Sequence, residues 1–281
     1  MGSCQDDLSI PEDEIQPEFH IKEKSQKWLD TLCSESFKGR KTGSAYDKMT
    51  FDYLCKTVKA IGYDYKVQEF NSYGGVVSLR NLLVEVPGMI DSTIVIGSHF
   101  DGARLSYTGE HYPAANDNAS GVVTNLALLD TLKQMMITPR YNIVCAFWDG
   151  EESFDGSWAQ GSAHFVRTCD DTNRILFYLN LDSVGHDHGL YIRHRGHGTV
   201  EKALSTILSK ERLVYTTVDM NKNRSGSSDY VSFAQADIPY LNFCDHRGDM
   251  CSFKSHSVYD VPEAVSIDRL LTHIKNILDI I

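Results

Sequence analysis

Short, almost continuous apolar runs alternate with longer amphipathic stretches along most of the chain. The short runs are rich in Val, Ile, Leu, Phe and Tyr, a composition that predicts strands. We predict strands at residues 63–70, 79–86, 93–98, 141–148, 175–182, 189–194 and 239–243. The longer stretches have helical spacing, and we predict helices at residues 21–33, 46–60, 119–135, 159–168, 198–210 and 266–280.

This order of elements predicts a sheet that is covered by helices on both faces. Strands that are apolar at successive positions are buried on both sides. Helices placed between such strands supply the two coverings. We therefore predict an α/β fold, a three-layer α/β/α sandwich with a central mixed, mostly parallel sheet.

The first twenty residues differ from the rest of the chain. They include six Asp or Glu residues, two prolines and no Lys or Arg, a composition that disfavours a packed core. We expect residues 1–20 to form a flexible acidic tether. Because no internal repeat or second linker follows, we expect residues 21–281 to form a single domain.

The net charge of −11 limits the partners of the chain. Such a surface repels phosphate backbones and anionic headgroups, so we expect no nucleic-acid partner. No apolar run approaches the roughly 20 residues that span a bilayer, so we expect a soluble chain. Cys4 resembles the lipidated cysteine of a bacterial lipoprotein, which predicts a location in the bacterial cell envelope. The alternative is an exposed thiol without a lipid, and the oligomeric state stays open.

Cysteine spacing gives no metal motif, because no CxxC pair occurs in the chain. Cys33, Cys55 and Cys145 fall in predicted elements, where we interpret them as small apolar residues. Cys244 and Cys251 lie in a polar stretch in which a disulfide could close. The sequence is compatible with both the paired and the unpaired state.

Ionisable residues follow three of the predicted strands. His99 and Asp101 follow one strand, Glu151 and Glu152 follow a second, and Asp182 ends a third. Each alone is compatible with an ordinary polar residue, but parallel strand ends line the usual ligand crevice of an α/β sheet. Buried adjacent carboxylates are costly without a cation. The set therefore predicts a metal site, with the Asp101 carboxylate orienting the His99 imidazole.

The segment DNASG, which begins at Asp117, precedes a predicted helix. Capping of that helix is one interpretation of Asp117. However, Asn118 and Ser120 offer further capping groups, which leaves the Asp117 carboxylate available to bridge metal ions. His246 and His256 are both candidates for a last ligand, and spacing does not choose between them. Nitrogen and oxygen ligands suit two zinc ions about 3.5 to 4 Å apart, although other divalent metals remain open.

The motifs FKGRKTGS, GSHFD, NDNASG, the EE pair, LNLDSVG, GSSDYVSF and SHSVYD resemble the M28 family of zinc aminopeptidases, from about residue 28 to residue 263. The resemblance implies a zinc-exopeptidase fold, also called phosphorylase/hydrolase-like. It also assigns the ligands: one zinc ion on His99 and Asp182, a second on Glu152 and His256, with Asp117 bridging both.

The same resemblance implies the reaction. Glu151 would be the general base and acid that activates a metal-bridging hydroxide, with Asp101 assisting. The substrate would be a peptide with a free N-terminus, and the product a released N-terminal residue. The resemblance also implies a cis peptide bond between Asp117 and Asn118.

The sequence departs from the family pattern in three places. Asn118 replaces an Asp that many relatives have. The segment NRSGSSD before Asp229 lacks the Tyr that stabilises the oxyanion in several aminopeptidases. The residues predicted to contact substrate or supply the missing donor are Arg224, Asp229, Trp158 and Tyr240, with His246 as a further candidate. A flexible surface position for Arg224 and a packing role for Trp158 are the alternatives.

The third departure is the long stretch after the EE pair, whose opening DGEESF resembles glutaminyl cyclases of the same fold. Those enzymes use one zinc ion to convert N-terminal glutamine into pyroglutamate, but typically have Trp where this chain has Ser255. A zinc aminopeptidase is therefore the leading hypothesis and a single-zinc cyclase the alternative. A third hypothesis, a metal-free binding domain of this fold, is opposed by the complete set of ligands.

Overall fold

Eight strands form one sheet in the computed structural model, which describes residues 17–103, 112–152, 156–187, 189–221, 227–245 and 255–281. The strands are β1 (Lys66–Asn71), β2 (Ser78–Val86), β3 (Ile90–His99), β4 (Tyr141–Trp148), β5 (Ile175–Leu181), β6 (Leu190–Arg195), β7 (Tyr215–Asp219) and β8 (Tyr240–Cys244). The helices are α1 (Pro17–Leu32), α2 (Ala45–Ile61), α3 (Ser120–Gln134), α4 (Gln160–Thr168), α5 (Thr199–Ser209), α6 (Tyr230–Gln235) and α7 (Ile267–Leu278).

The predicted strands and helices are all present, and the sequence missed two elements. β7 is an edge strand whose side chains are mostly exposed, so it lacks the apolar run that marks the other strands. α6 has six residues, too few to show helical periodicity. The first helix also begins earlier than expected, at Pro17, inside the predicted tether; proline is tolerated in a first helical turn.

The sheet is mixed, with a parallel centre, as predicted. Its strand order is β1-β2-β4-β3-β5-β8-β6-β7, and β4, β3, β5 and β8 run in the same direction. β2 and β6 pair antiparallel with the outer members of this group. The carboxyl ends of four neighbouring strands therefore meet at one edge of the sheet.

Side chains alternate between the two faces of each central strand. In β3, Ile94 and Ile96 belong to the core under α1, α2, α3, α5 and α7, while Val95 belongs to a second core under α4 and α6. Because both faces are apolar, the strands read as continuous apolar runs in the sequence. The three predicted layers are confirmed.

A buried arginine joins the N-terminal part of the chain to this sheet. Arg40 is fully buried, and its guanidinium donates to four main-chain carbonyls: Leu32 at 2.7 Å, Phe100 at 2.9 Å, Pro113 at 3.1 Å and Ala114 at 2.6 Å. These carbonyls belong to the end of α1, the segment after β3 and the segment that leads to α3. The planar guanidinium can satisfy several acceptors at once, which suits it to such a junction.

The expectations about the N-terminus and the disulfide fall on residues that lie partly outside the described ranges. Cys4 and Cys251 are outside them. Cys244 is buried at the end of β8, where Arg193 donates to its sulfur at 3.4 Å. Within the described ranges, no helix has both the length and the apolar character needed to cross a bilayer.

His273 makes stability depend on pH. It is fully buried in α7, and its Nε2 lies 2.9 Å from the Val184 carbonyl oxygen. Burial, reinforced by the positive charge of Arg269, lowers the pKa of His273 to about 3. Below pH 6.5 the unfolded chain therefore binds a proton at this residue that the native protein does not. The resulting loss of stability grows as the pH falls from about 6.5 towards 3.

We predict that His273→Gln removes this pH dependence. The wild-type protein should lose up to about 1.4 kcal/mol per pH unit relative to the variant between pH 6 and pH 4. Urea unfolding of both proteins at several pH values measures the difference. A constant difference across that range would contradict the prediction.

Candidate metal centre

The five predicted ligands lie at the carboxyl edge of the parallel strands. His99 is the last residue of β3 and is 1% exposed, while Glu152 follows β4 at 7%. Asp182 follows β5, and Asp117 lies directly before α3. His256 lies in a turn after β8, and its side chain is 55% exposed.

One group of three ligand atoms surrounds a point next to the ends of β3 and β5. His99 Nε2 lies 3.4 Å from Asp117 Oδ1 and 3.6 Å from Asp182 Oδ1. These three side chains form one of the two groups in the described residues that could hold a metal ion. We call it the strand triad.

A second group of three shares Asp117. His256 Nε2 lies 3.3 Å from Asp117 Oδ2 and 2.9 Å from Glu152 Oε1. The two Asp117 oxygens thus face different groups, as a bridging carboxylate requires. We call this second group, formed by Asp117, Glu152 and His256, the turn triad.

The spacing within both triads fits zinc. Ligand atoms placed tetrahedrally at about 2.0 to 2.1 Å from a zinc ion are about 3.3 Å apart, close to the 3.3, 3.4 and 3.6 Å between imidazole nitrogens and Asp oxygens. Moreover, His99 Nε2 is buried and makes no hydrogen bond to any described residue. Buried polar atoms are rarely left without a partner, and a zinc ion held by the strand triad would supply one.

Burial and neighbouring charges shift the pKa values of the residues at the site. Burial raises the pKa of Glu151 well above its ordinary value, and Glu152 adds to this while His99 opposes it. The Asp117 and Glu152 carboxylates raise the pKa of His256 to about 11. Burial lowers the pKa of His99, but neighbouring carboxylates, Glu151 first, raise it well above its usual value. The centre is therefore strongly attractive to cations.

The peptide bond between Asp117 and Asn118 is cis, which confirms that expectation. The Asn118 side chain is fully buried, and its Nδ2 donates to the Leu181 carbonyl at 2.9 Å. Its Oδ1 accepts from the Gly121 N–H at 3.0 Å in the first turn of α3. Asn118 thus supplies the capping contact for which Asp117 was also a candidate. The Asp117 carboxylate is left to take part in both triads.

Asp101 acts differently from our expectation. Its carboxylate lies 3.6 Å from His99 Nδ1, whereas its main-chain carbonyl lies 3.1 Å from that nitrogen. The carboxylate instead accepts from the main-chain N–H groups of Glu151 at 3.1 Å and Glu152 at 3.0 Å, and from the Thr42 hydroxyl at 2.7 Å. Asp101 therefore positions the acidic segment after β4, and a backbone oxygen orients His99.

The expectation that Tyr240 contacts substrate is wrong. Tyr240 is the first residue of β8 and pairs with Tyr178, three residues before the end of β5. It is 1% exposed, and its ring packs against that of Tyr230, with centroids 4.8 Å apart and ring planes tilted by 32°. The side chain is part of the core under α4 and α6, away from the carboxyl edge.

Asp229 and Trp158 occupy opposite environments. Asp229 is fully buried, which raises its pKa to about 7, so direct contact with substrate would require rearrangement. Trp158 is 39% exposed, and the next residue, Ala159, donates its N–H to the Glu151 carbonyl at 3.0 Å. An exposed Trp beside Glu151 is compatible with a substrate wall. Arg224 and His246 lie outside the described residues.

Sequence reasoning missed two residues that support the centre, although both lie in motifs noted above. Thr42, in FKGRKTGS, donates to Asp101. Asp260, the last residue of SHSVYD, accepts from the main-chain N–H groups of Asn116 and Asp117. Neither contact is local in sequence, so no spacing rule could identify it.

Comparison with known families decides what kind of centre this is. The model of peptidase family M28 matches residues 81–281, which include all five predicted ligands. The chain belongs to peptidase family M28. The family assignment made from the motifs is thereby confirmed.

Relatives of this M28 chain include both peptidases and cyclases. Leucine aminopeptidase 1 of Paracoccidioides brasiliensis (strain Pb03) is 24% identical over 82% of this chain and 62% of its own length. BSAP, a zinc aminopeptidase from Bacillus subtilis, superposes with a TM-score of 0.73 at 14% identity, covering 92% of this chain and 93% of BSAP. Bacteroides thetaiotaomicron glutaminyl cyclase bound to N-acetylhistamine gives a TM-score of 0.74 at 17% identity, with 92% and 97% covered.

At 17% and 14% identity, the structural matches establish a shared fold. This M28 chain spans less than two thirds of the length of the curated relatives it matches first.

We predict that Asp101→Asn weakens zinc binding. The amide would face two backbone N–H donors with only one acceptor, so Glu151 or Glu152 loses its hydrogen bond. Residues that support metal ligands typically contribute a factor of about 10 to 100 in affinity, and we expect a loss in that range. Calorimetric titration of zinc into chelator-treated protein measures it.

Thr42→Val is the matched control. It removes one bond to the same carboxylate but leaves both backbone bonds in place. Its zinc affinity should fall much less. Equal losses in the two variants would argue against backbone positioning by Asp101.

Proposed function

We propose that this protein is a zinc-dependent aminopeptidase that hydrolyses the N-terminal peptide bond of peptides. One observation carries the proposal: two complete ligand triads share the Asp117 carboxylate. Membership of peptidase family M28 supports peptide hydrolysis as the reaction class. The zinc aminopeptidase among the structural relatives supports the metal.

The residues have separate roles in this proposal. His99 and Asp182 would hold one zinc ion, Glu152 and His256 the other, and Asp117 both. The chemistry supplied by two bound zinc ions is polarisation of the substrate carbonyl and acidification of the attacking water.

Glu151 would act as general base and then as general acid. Its carboxylate Oε2 lies 3.9 Å from His99 Nε2, so it faces the centre while Asp101 fixes its main chain. Burial raises the pKa of Glu151 well above its ordinary value. A carboxyl group with such a pKa can take the proton of the attacking water and pass it to the leaving amine.

The substrate would be a peptide with a free N-terminus. The excess of carboxylates favours a substrate that brings a positive charge, such as an N-terminal ammonium group. Trp158, partly exposed beside the segment that carries Glu151, would contact the substrate side chain. Arg224 is retained as the proposed oxyanion donor on sequence grounds alone.

A glutaminyl-peptide cyclotransferase with one zinc ion is the second candidate. The structural likeness to glutaminyl cyclases and the DGEESF segment favour it. A single ion would leave one triad without a metal. If the ion occupied the turn triad, the buried His99 Nε2 of the strand triad would have no hydrogen-bond partner within the described residues. This observation favours the two-ion aminopeptidase, and it equally opposes a metal-free binding domain.

The products from a peptide with N-terminal Gln separate the two candidates. The aminopeptidase should release free Gln and a peptide shortened by one residue, whereas a cyclase should yield pyroglutamyl peptide and ammonia. Mass spectrometry of the zinc-loaded reaction distinguishes the products. Cyclisation without hydrolysis, here and on a peptide series with apolar N-termini, would overturn the proposal.

Glu151→Gln is the control for that assay. Losing the base should lower kcat by about 10² to 10⁴-fold while zinc content stays at the wild-type level. Full activity in a variant preparation with wild-type zinc content would contradict this expectation. It would remove Glu151 from the proposed mechanism.

For location, we propose the bacterial cell envelope, through a lipid on Cys4. The proposal rests on the position of Cys4 before an acidic segment. Fractionation of cells that express the protein behind a lipoprotein signal peptide tests it: the wild-type protein should follow the membrane fraction, and Cys4→Ser should not. Identical fractionation of both would contradict the anchor.

A further inference from the structure

The two triads are held by different kinds of structure. His99 and Asp182 are at the ends of β3 and β5, which pair with each other inside the sheet. His256 instead lies in a turn, has a left-handed backbone with φ 57°, and exposes 55% of its side chain. Something outside the sheet must therefore fix His256 relative to Asp117.

Asp260 makes that connection. It is 1% exposed, and its Oδ1 accepts from the Asn116 N–H at 2.7 Å while its Oδ2 accepts from the Asp117 N–H at 3.0 Å. Its main-chain carbonyl accepts from the Ala115 N–H at 3.2 Å. Three successive N–H groups of the segment that carries the bridging carboxylate thus bind one residue.

The same residue closes the turn that carries His256. The Asp260 N–H donates to the Ser257 carbonyl at 3.2 Å, and the Tyr259 N–H donates to the Ser257 hydroxyl at 3.2 Å. His256 is therefore joined to Asp117 through a short, hydrogen-bonded path. Charge-assisted bonds from N–H groups to a buried carboxylate are among the stronger hydrogen bonds in proteins.

Asp260 parallels Asp101 but serves a different ligand. Each carboxylate accepts two consecutive main-chain N–H groups, those of Glu151 and Glu152 in one case and those of Asn116 and Asp117 in the other. Ligand affinity in metal sites depends on such supporting contacts. Loss of the Asp260 carboxylate would release the main chain of Asn116 and Asp117 from the His256 turn, while β3 and β5 stay paired.

We propose that Asp260 is a positioning residue that sets the affinity of the turn triad for its metal ion. The strand triad shares Asp117 but keeps His99 and Asp182 at the ends of paired strands, so its affinity depends less on Asp260. The inference rests on the proposed two-ion function, and it predicts unequal losses of affinity for the two ions when this residue is altered.

The test is metal binding by chelator-treated full-length protein. Zinc is titrated calorimetrically, and Co²⁺ is titrated in parallel because its visible absorption reports the coordination of the bound ion. In Asp260→Asn, one acceptor is replaced by an amide that faces an N–H group. We expect about 10 to 100-fold weaker binding of one ion, with a smaller loss for the other ion because Asp117 belongs to both triads.

Two further variants test which binding event is affected and whether the effect is specific. His256→Ala removes a ligand of the turn triad and should abolish the same binding event that Asp260→Asn weakens. Asp130→Asn is the matched control, because Asp130 is also buried, at 3%, but pairs with Lys24 on α1 at 2.9 Å. It should leave both binding events unchanged, which separates selective loss from general destabilisation.

Asp260→Glu keeps the carboxylate and is included in case Asp260→Asn does not fold. Circular dichroism and thermal unfolding test whether both variants are folded. Binding of both ions with wild-type affinity by Asp260→Asn, or equal weakening of both, would overturn the inference. So would failure of both Asp260 variants to fold, because Asp260 would then serve the whole fold. Uptake of only one ion by the wild-type protein would instead contradict the proposed function.

Discussion

Repulsion among carboxylates is the constraint on which the carboxyl edge of this sheet depends. Asp117, Glu151, Glu152 and Asp182 converge there with two imidazoles, in a region from which much of the solvent is excluded. Left to themselves, such side chains would turn towards water or take up protons. Hydrogen bonds fix their main chains, and in the proposed function bound zinc would supply the compensating charge.

Hydrogen bonds to the main chain hold the ligand segments in place more than contacts between the ligands do. Asp101 binds the N–H groups of Glu151 and Glu152, and Asn118 ties the start of α3 to the end of β5. A carboxylate that accepts two backbone N–H groups holds a chain segment in place without competing for the metal. The centre thus contains residues that can bind metal and other residues that hold the main chains of those ligands in place.

Much of the fold and of the ligand set could be predicted because the signals are local. Buried parallel strands appear as apolar runs, and a His, Asp or Glu directly after such a run must lie at the edge of the sheet. The two elements that were missed, β7 and α6, lack these signals, being exposed or short. The choice of His256 over His246 came from family resemblance, because both residues lie in one polar stretch.

What could not be predicted depends on contacts between distant segments. Asp101 is two residues from His99, so orientation of that imidazole was the obvious role, yet its carboxylate faces a segment fifty residues later. Tyr240 was a candidate for the missing donor or a substrate contact, but it begins β8 and is buried beside Tyr230. The first case depends on a contact between distant segments and the second on the direction of a strand. Residue type predicts neither.

Arg40 shows that the functional unit is larger than the segment that matches the M28 model, which begins at residue 81. Its four carbonyl acceptors connect α1 to the segments on either side of the centre, after β3 and before Asp117. Undocking of the first helix would release those segments, so metal occupancy and the order of the N-terminal helix are thermodynamically linked. A metal ion bound at the carboxyl edge should slow hydrogen exchange in α1, although none of the proposed metal ligands lies in that helix.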